Sequence, residues 1–237
     1  DGDATVVNMD DDIDFANSTV RGDLIATSTT GNIIDTGVLT ISGTSIFTTS
    51  QSDADITLGS VNVFTGAVAL NTSGSTGHAV VDNDGTTALI IGVSTVGGNL
   101  TLTSGAAAGI TDTGNVTVAG NLVATTDANS GVINMGTLRV DGTVALTTHG
   151  DGAATIVNDD GINFANSTVR GALSATASAG NITQGGALNV VGATTLVTTG
   201  QGATIDLTTI TNAFTGELLI TTNDNNTPED GTYAAHA

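Results

Sequence analysis

One short phrase governs this chain. An apolar residue stands two places before a glycine, further apolar residues tend to stand two and four places after it, and the phrase recurs nine times. The glycines are Gly22, Gly43, Gly66, Gly98, Gly120, Gly142, Gly171, Gly192 and Gly216, spaced by 21, 23, 32, 22, 22, 29, 21 and 24 residues. A period in that range restricts the chain to architectures in which each copy is one coil stacked on the last. Two places before the glycines stand Val20, Ile41, Phe64, Val96, Val118, Val140, Val169, Val190 and Phe214, all apolar. Spacing of two on either side of glycine is that of strands with one face inward, and the glycine between them marks a corner.

A third short strand completes a three-sided coil. It reads NII (Asn32 to Ile34), GIT (Gly109 to Thr111) and NIT (Asn181 to Thr183), with Ile56, Ile133 and Ile205 as its core positions in other coils. Helical spacing is missing throughout, and β-branched residues dominate. Five or six inward side chains contribute about 10 kcal/mol at roughly 1.5 to 3 each. Ordering a coil costs at least about 20 kcal/mol of backbone entropy. No coil stands alone, so hydrogen bonds must run along the axis to the coils on either side.

A longer period lies over the short one. DGDATVVNMDDDIDFANSTVRGDL at the start returns as DGAATIVNDDGINFANSTVRGAL from Asp151, and TTALIIGVSTVGGNL from Thr86 is a diverged copy. These define three units of about 75 residues, roughly 1–75, 76–150 and 151–223, each of three coils with the third one long. The expected fold is all-β, a parallel β-helix or β-solenoid of about nine coils over residues 1–223. Residues 224–237, with the only proline and tyrosine, leave the repeat and read as a linker or tail.

Composition narrows the function. Three Arg and no Lys stand against 23 acidic residues, a formal charge of −20. Such a surface repels nucleic acid and anionic membranes, which bind through Lys and Arg. No apolar run approaches the length of a membrane span, and no charged segment precedes an apolar one as in a signal peptide. Export, if it occurs, needs a signal outside this sequence. The absence of cysteine fits a surface protein that needs no disulfides.

TVGGNLTLTSGAAAGITDTGNVTVAGNLVATT (Thr95 to Thr126) and NVFTGAVALNTSG (Asn62 to Gly74) resemble the repetitive shafts of large bacterial surface proteins of the filamentous haemagglutinin type. The resemblance covers about residues 1 to 223. It implies a right-handed parallel β-helix and an elongated, secreted or surface-attached fibre or adhesin, although the amino-terminal secretion domain of that family is not in this sequence.

Candidate chemistry is sparse. Acidic runs recur once per unit: Asp10, Asp11, Asp12 and Asp14; Asp82 and Asp84; Asp159 and Asp160. If the units stack three coils apart, these runs line one side of the rod about 14 Å from one another. Clustered carboxylates with nearby carbonyls suit Ca²⁺, against the plainer reading of a solvated loop, and neither an EF-hand nor a GGxGxD repeat is present. Five and six places after the glycines runs a column of hydroxyls, among them Thr27, Ser28, Thr48, Thr49, Thr103, Ser104, Thr125 and Thr126, expected to bond up the stack. Ice binding needs a flat T-x-T array, whereas these hydroxyls are adjacent. A polysaccharide enzyme would need paired carboxylates with cations and aromatics, and five Phe, one Tyr and three Arg do not supply them. His78, His149 and His236 share no metal-ligand spacing and read as turn or tail residues.

The expectation is a non-enzymatic structural shaft or fibre of a bacterial cell surface, extracellular, without cofactor. Its expected partners are other copies stacked end to end or neighbouring repeats of a longer chain. The alternative is an adhesin gripping a host or matrix ligand through a lateral face.

Overall fold

The computed structural model describes residues 2–84, 86–208 and 210–223. Among these, every regular element is a strand and there is no helix, so none is long and apolar enough to cross a membrane. All strand pairings are parallel, and each joins a strand to one about a coil away in sequence rather than to its chain neighbour. The backbone hydrogen bonds therefore run along the axis, as the coil argument requires.

The inward positions are those expected. Leu24, Val68, Leu100, Leu122, Val144 and Leu173 are buried two places after their glycines. Ala26, Phe47, Leu70, Leu102, Ala124, Leu146, Ala175 and Leu196 are buried four places after. The third side is formed by Ile33–Asp35, Ile110–Asp112 and Ile182–Gln184, where NII, GIT and NIT predict it. The core is a continuous column of Val, Ile, Leu and Ala. Its few aromatics include a run in which Phe47 meets Phe15 and Phe64 edge to face, at 6.3 and 6.1 Å.

The number of turns differs from the number of glycines. Ala4, Leu24, Ser45, Val68, Ile91 and Asp112 lie in one register column. Met135, Ile156, Ala175, Leu196 and Ile220 continue it, joined to Asp112 through the neighbouring pair Thr111 and Asn134. Eleven levels make about ten turns, not nine. The residue above Val68 is Ile91, and Leu100 stands nine residues further on. Likewise Leu100, Leu122 and Val144 are followed in their column by Phe164, and Leu173 is again nine residues beyond. The long third coil is not one turn with a loop. It is a full turn plus one more side, so each unit advances three turns and about two-fifths of another.

The strands that directly follow the corner glycines, and their equivalents at the start of each unit, consequently change face. In the first unit they are Ala4–Asn8, Leu24–Ser28, Ser45–Ser52 and Val68–Ser73, all in one sheet. In the second they are Ala79–Asn83, Leu100–Ser104, Leu122–Asn129 and Thr143–His149, in the other sheet. In the third, Ala154–Asn158, Leu173–Ala177, Thr194–Thr198 and Leu218–Thr221 return to the first sheet.

Glycine is required at the corners for a reason other than backbone twist. None of the nine repeat glycines has a positive φ. At Gly66 a Cβ would collide with the carbonyl of Gly43 in the turn below, and at Gly216 with that of Gly192. The corners stack backbone on backbone, as in the bond from the Gly43 N–H to the Gly22 carbonyl at 2.9 Å.

Candidate functional site: corners, unit seams and open ends

On five of the strands that follow the corner glycines, an inward threonine closes the corner that comes next. Thr49, Thr72, Thr126, Thr148 and Thr198 are buried and donate to the carbonyls of Ala54, Gly77, Gly131, Gly152 and Ala203, four or five residues on. The hydroxyls also bond along the stack, to backbone rather than to one another: Ser28 Oγ donates to the Asp11 carbonyl in the turn below, and Thr72 and Thr148 accept the N–H groups of Gly97 and Arg170 in the turn above. The preceding threonines, Thr27, Thr48, Thr103 and Thr125, point outward, so the two columns diverge.

The unit seams carry their own residues. Ala79–Asn83 mounts on Ile56–Phe64, with Ala79 over Ile56, Val81 over Leu58 and Asn83 over Asn62. Ala154–Asn158 mounts on Ile133–Val140 in the same way, with Ala154 over Ile133, Ile156 over Met135 and Asn158 over Leu138. At both seams the buried Asn amide does two things. Its Oδ1 accepts a backbone N–H of the turn below, from Phe64 to Asn83 and from Val140 to Asn158, each at 2.8 Å. Its Nδ2 donates across its own corner, to the Thr87 carbonyl at 3.3 Å and the Gly161 carbonyl at 2.6 Å. A serine repeats this logic on another side. Ser94 Oγ accepts the Leu70 N–H at 3.0 Å, and Ser167 Oγ accepts the Leu146 N–H at 3.1 Å.

The acidic runs do not line one side. Asp10 to Asp12 follow Ala4–Asn8 of the first sheet and Asp14 lies in Ile13–Phe15 of the other; Asp82 lies in Ala79–Asn83, also of that other sheet, with Asp84 directly after it; Asp159 and Asp160 follow Ala154–Asn158, back in the first. The nine-residue advance at each seam is the cause. Several of these carboxylates are engaged: Asp12 accepts the Asn32 N–H at 2.6 Å, Asp160 the Gly161 N–H at 2.8 Å, and Asp14 the side-chain hydroxyl of Thr36 at 2.9 Å. Asp159 lies 3.8 Å from Arg139, which also reaches Asp141 at 3.9 Å. Both pairs are exposed and contribute little. Burial, and then the carboxylates of Asp127, Asp84 and Asp35, push the Asp82 carboxyl above its ordinary value. Bonds from the Thr76 backbone and side chain and from Ser52 hold Asp53 below it. Among the described residues, no three His, Cys, Asp or Glu side chains are gathered so as to hold a metal ion.

Two carboxylates outside the runs matter more to the architecture. Asp35 accepts the N–H groups of Gly59 and Ser60 at 2.9 and 3.2 Å and the Asn62 amide at 2.6 Å. Asp112 accepts those of Gly136 and Thr137 at 3.0 and 2.8 Å. Each clamps the irregular stretch of the turn above, where the register slips at the seam. The D-T-G of IIDTG and ITDTG, followed a turn later by G-S or G-T, is the signal that identifies them. His78 and His149 are also part of the corners: His78 Nδ1 accepts the Asn99 N–H at 2.8 Å, and His149 Nδ1 faces the Thr126 carbonyl at 2.7 Å. His236 and the tail lie outside the described residues.

Among the described residues, the first and last turns expose side chains whose equivalents in the other turns are buried. Val6 is exposed although the equivalent Ile156 is buried, and Phe15 is only partly covered where Phe164 is buried. At the other end Leu218 and Ile220 are 44% and 49% exposed in columns whose earlier members are buried.

The class these features define is a repeat protein, a parallel β-solenoid whose polar side chains are largely engaged in joining one turn to the next. The chain belongs to the family described as repeats of unknown function (DUF5649), which it matches over residues 1–71, 76–135 and 151–221, one stretch in each unit. Comparison with curated proteins and with solved structures gave no match.

Proposed function

We propose that this chain is a structural shaft of a bacterial surface or secreted protein, a rigid spacer rather than a catalyst. The observation that carries the reading is the unbroken axial stack of about ten turns, in which seam, corner and clamp residues alike bind the turn above or below. The charge of −20 fits exposure to a medium where surfaces must not cohere, because like-charged rods repel. The GNLTLT, ITDTG and FTGAV phrases, with their likeness to filamentous haemagglutinin-type shafts, support the bacterial surface as its location.

Antibody raised against the folded solenoid and applied to intact cells that make the protein tests this. Label on the outside, in elongated projections, is the expected result. Label that appears only after the envelope is permeabilised overturns the reading.

A further inference from the structure

The two internal seams are copies of one another, and the second departs from the first on its outer surface. Thr117 pairs with Arg139 as Thr40 pairs with Val63, and Asn115 and Val38 stand two places before those threonines. The Asp159 N–H donates to the Leu138 carbonyl as that of Asp84 does to Asn62, and the Ser178 N–H donates to Asn158 as that of Gly105 does to Asn83. Val38, Val63 and Gly105 of the first seam are thus replaced by Asn115, Arg139 and Ser178 at the second, while a threonine and an aspartate are kept. The stretch leading to Arg139 is also one residue shorter: Gly136-Thr137-Leu138 stands for Gly59-Ser60-Val61-Asn62, and the exposed Val61 has no counterpart.

The consequence is a groove of about 430 Å³ at the second seam, bordered by Asn115, Thr117, Arg139, Asp159 and Ser178, with Val157 adding apolar wall. A volume of that order suits a small ligand. The groove crosses four turns, three rises of about 4.8 Å, so it runs about 14 Å along the axis. Elsewhere polar side chains tie one turn to the next. Here, among the described residues, none of these five side chains hydrogen-bonds to the chain. Arg139 meets Asp159 and Asp141 only at 3.8 and 3.9 Å, beyond hydrogen-bond reach. Charge orients the guanidinium, and its N–H groups keep their capacity to donate.

We propose that this groove binds a neutral glycan chain laid along the solenoid axis. An anionic ligand would meet two carboxylates beside the one cation, and the field of a chain carrying −20. A cationic ligand would meet Arg139. A neutral polyol fits both signs, because each sugar hydroxyl can accept from the guanidinium or the Asn115 amide and donate to Asp159. Val157 offers contact to the C–H face of a ring. Successive turns repeat these groups along the axis, so a linear chain, rather than one compact sugar, uses the whole length. The shorter strand makes the room, and the three replacements supply the chemistry.

Titration of the isotope-labelled full chain with neutral trisaccharides of glucose, galactose or mannose, followed by backbone amide shifts, tests this. At least one of them is expected to move the amides of Thr117, Arg139, Asp159 and Ser178 while those of Thr40, Val63, Asp84 and Gly105 stay in place. A trisaccharide of galacturonate and a lysine-rich peptide are expected to move neither set. The variant carrying Arg139→Val and Ser178→Gly takes the residues that the first seam already tolerates, so it should keep the parent's circular dichroism and bind about tenfold more weakly or worse. Shifts caused by none of the neutral sugars, shifts caused by the uronate or the peptide instead, or unchanged binding by the folded variant overturn the proposal. Surface labelling is a separate readout: sugar binding without external label would sink the shaft reading and leave the groove standing.

Discussion

Asn158 shows what a single side chain does in this molecule. It is fully buried, spans a corner and accepts the Val140 N–H, so truncation leaves buried polar groups unpaired on two turns. Asn158→Ala is expected to cost about 1–3 kcal/mol in denaturant unfolding. Asn8→Ala, the same change where no turn among the described residues lies beneath, should cost markedly less in this chain. Asp82 gives a prediction of opposite sign. Its carboxyl is held above the ordinary value, so the folded state binds the proton more tightly than the unfolded chain does. Stability from this residue therefore falls as pH rises from the ordinary value, 3.8, through the raised one. Asp82→Asn is expected to raise Tm at pH 7 by roughly 1–3 °C, discounted for its partial exposure, and to give no gain at or below the ordinary value. Asp53 behaves in the usual sense: its contribution is present above 3.8 and is lost as pH falls through its lowered value.

The strands were the most legible part of the sequence, and the turn count the least. Alternation around each glycine identifies Leu24, Ala26, Phe47 and Leu70 as core before any coordinates, because side-chain period and burial share one cause. The spacings of 32 and 29 residues are ambiguous by nature, since a loop and an added side lengthen a coil equally. LII at 89–91 and INF at 162–164 were the available signals that the extra residues form strand. The acidic runs were visible, but their placement depended on the turn count and failed with it. Asp35 and Asp112 were hidden because their partners lie a whole turn away. The element scale also makes a deletion prediction. Removing 100–121 joins Asn99 to Leu122 and brings Leu122 over Ala79 in place of Leu100, leaving every column in phase. That variant should fold with one cooperative transition and a slightly lower Tm. Removing 100–110 instead puts side chains on the wrong faces, and circular dichroism should show lost strand content.

At the scale of the whole molecule the structure is a rod about 48 Å long, from ten rises of about 4.8 Å. It carries −20 with only three cationic side chains, so its own field opposes compaction. Raising ionic strength from about 0.01 to 0.15 M shortens the screening length from about 30 to 8 Å. Thermal melts over that range should show Tm rising with salt; a flat response would mean that the carboxylates are neutralised locally. The advance at each seam has a further consequence for how such rods meet one another. Two rods laid side by side can match their outer side chains over one unit only, because the next unit has turned a different set toward the neighbour. Bundling of such rods gains nothing from length, so solenoids of this kind packed closely remain separate from one another.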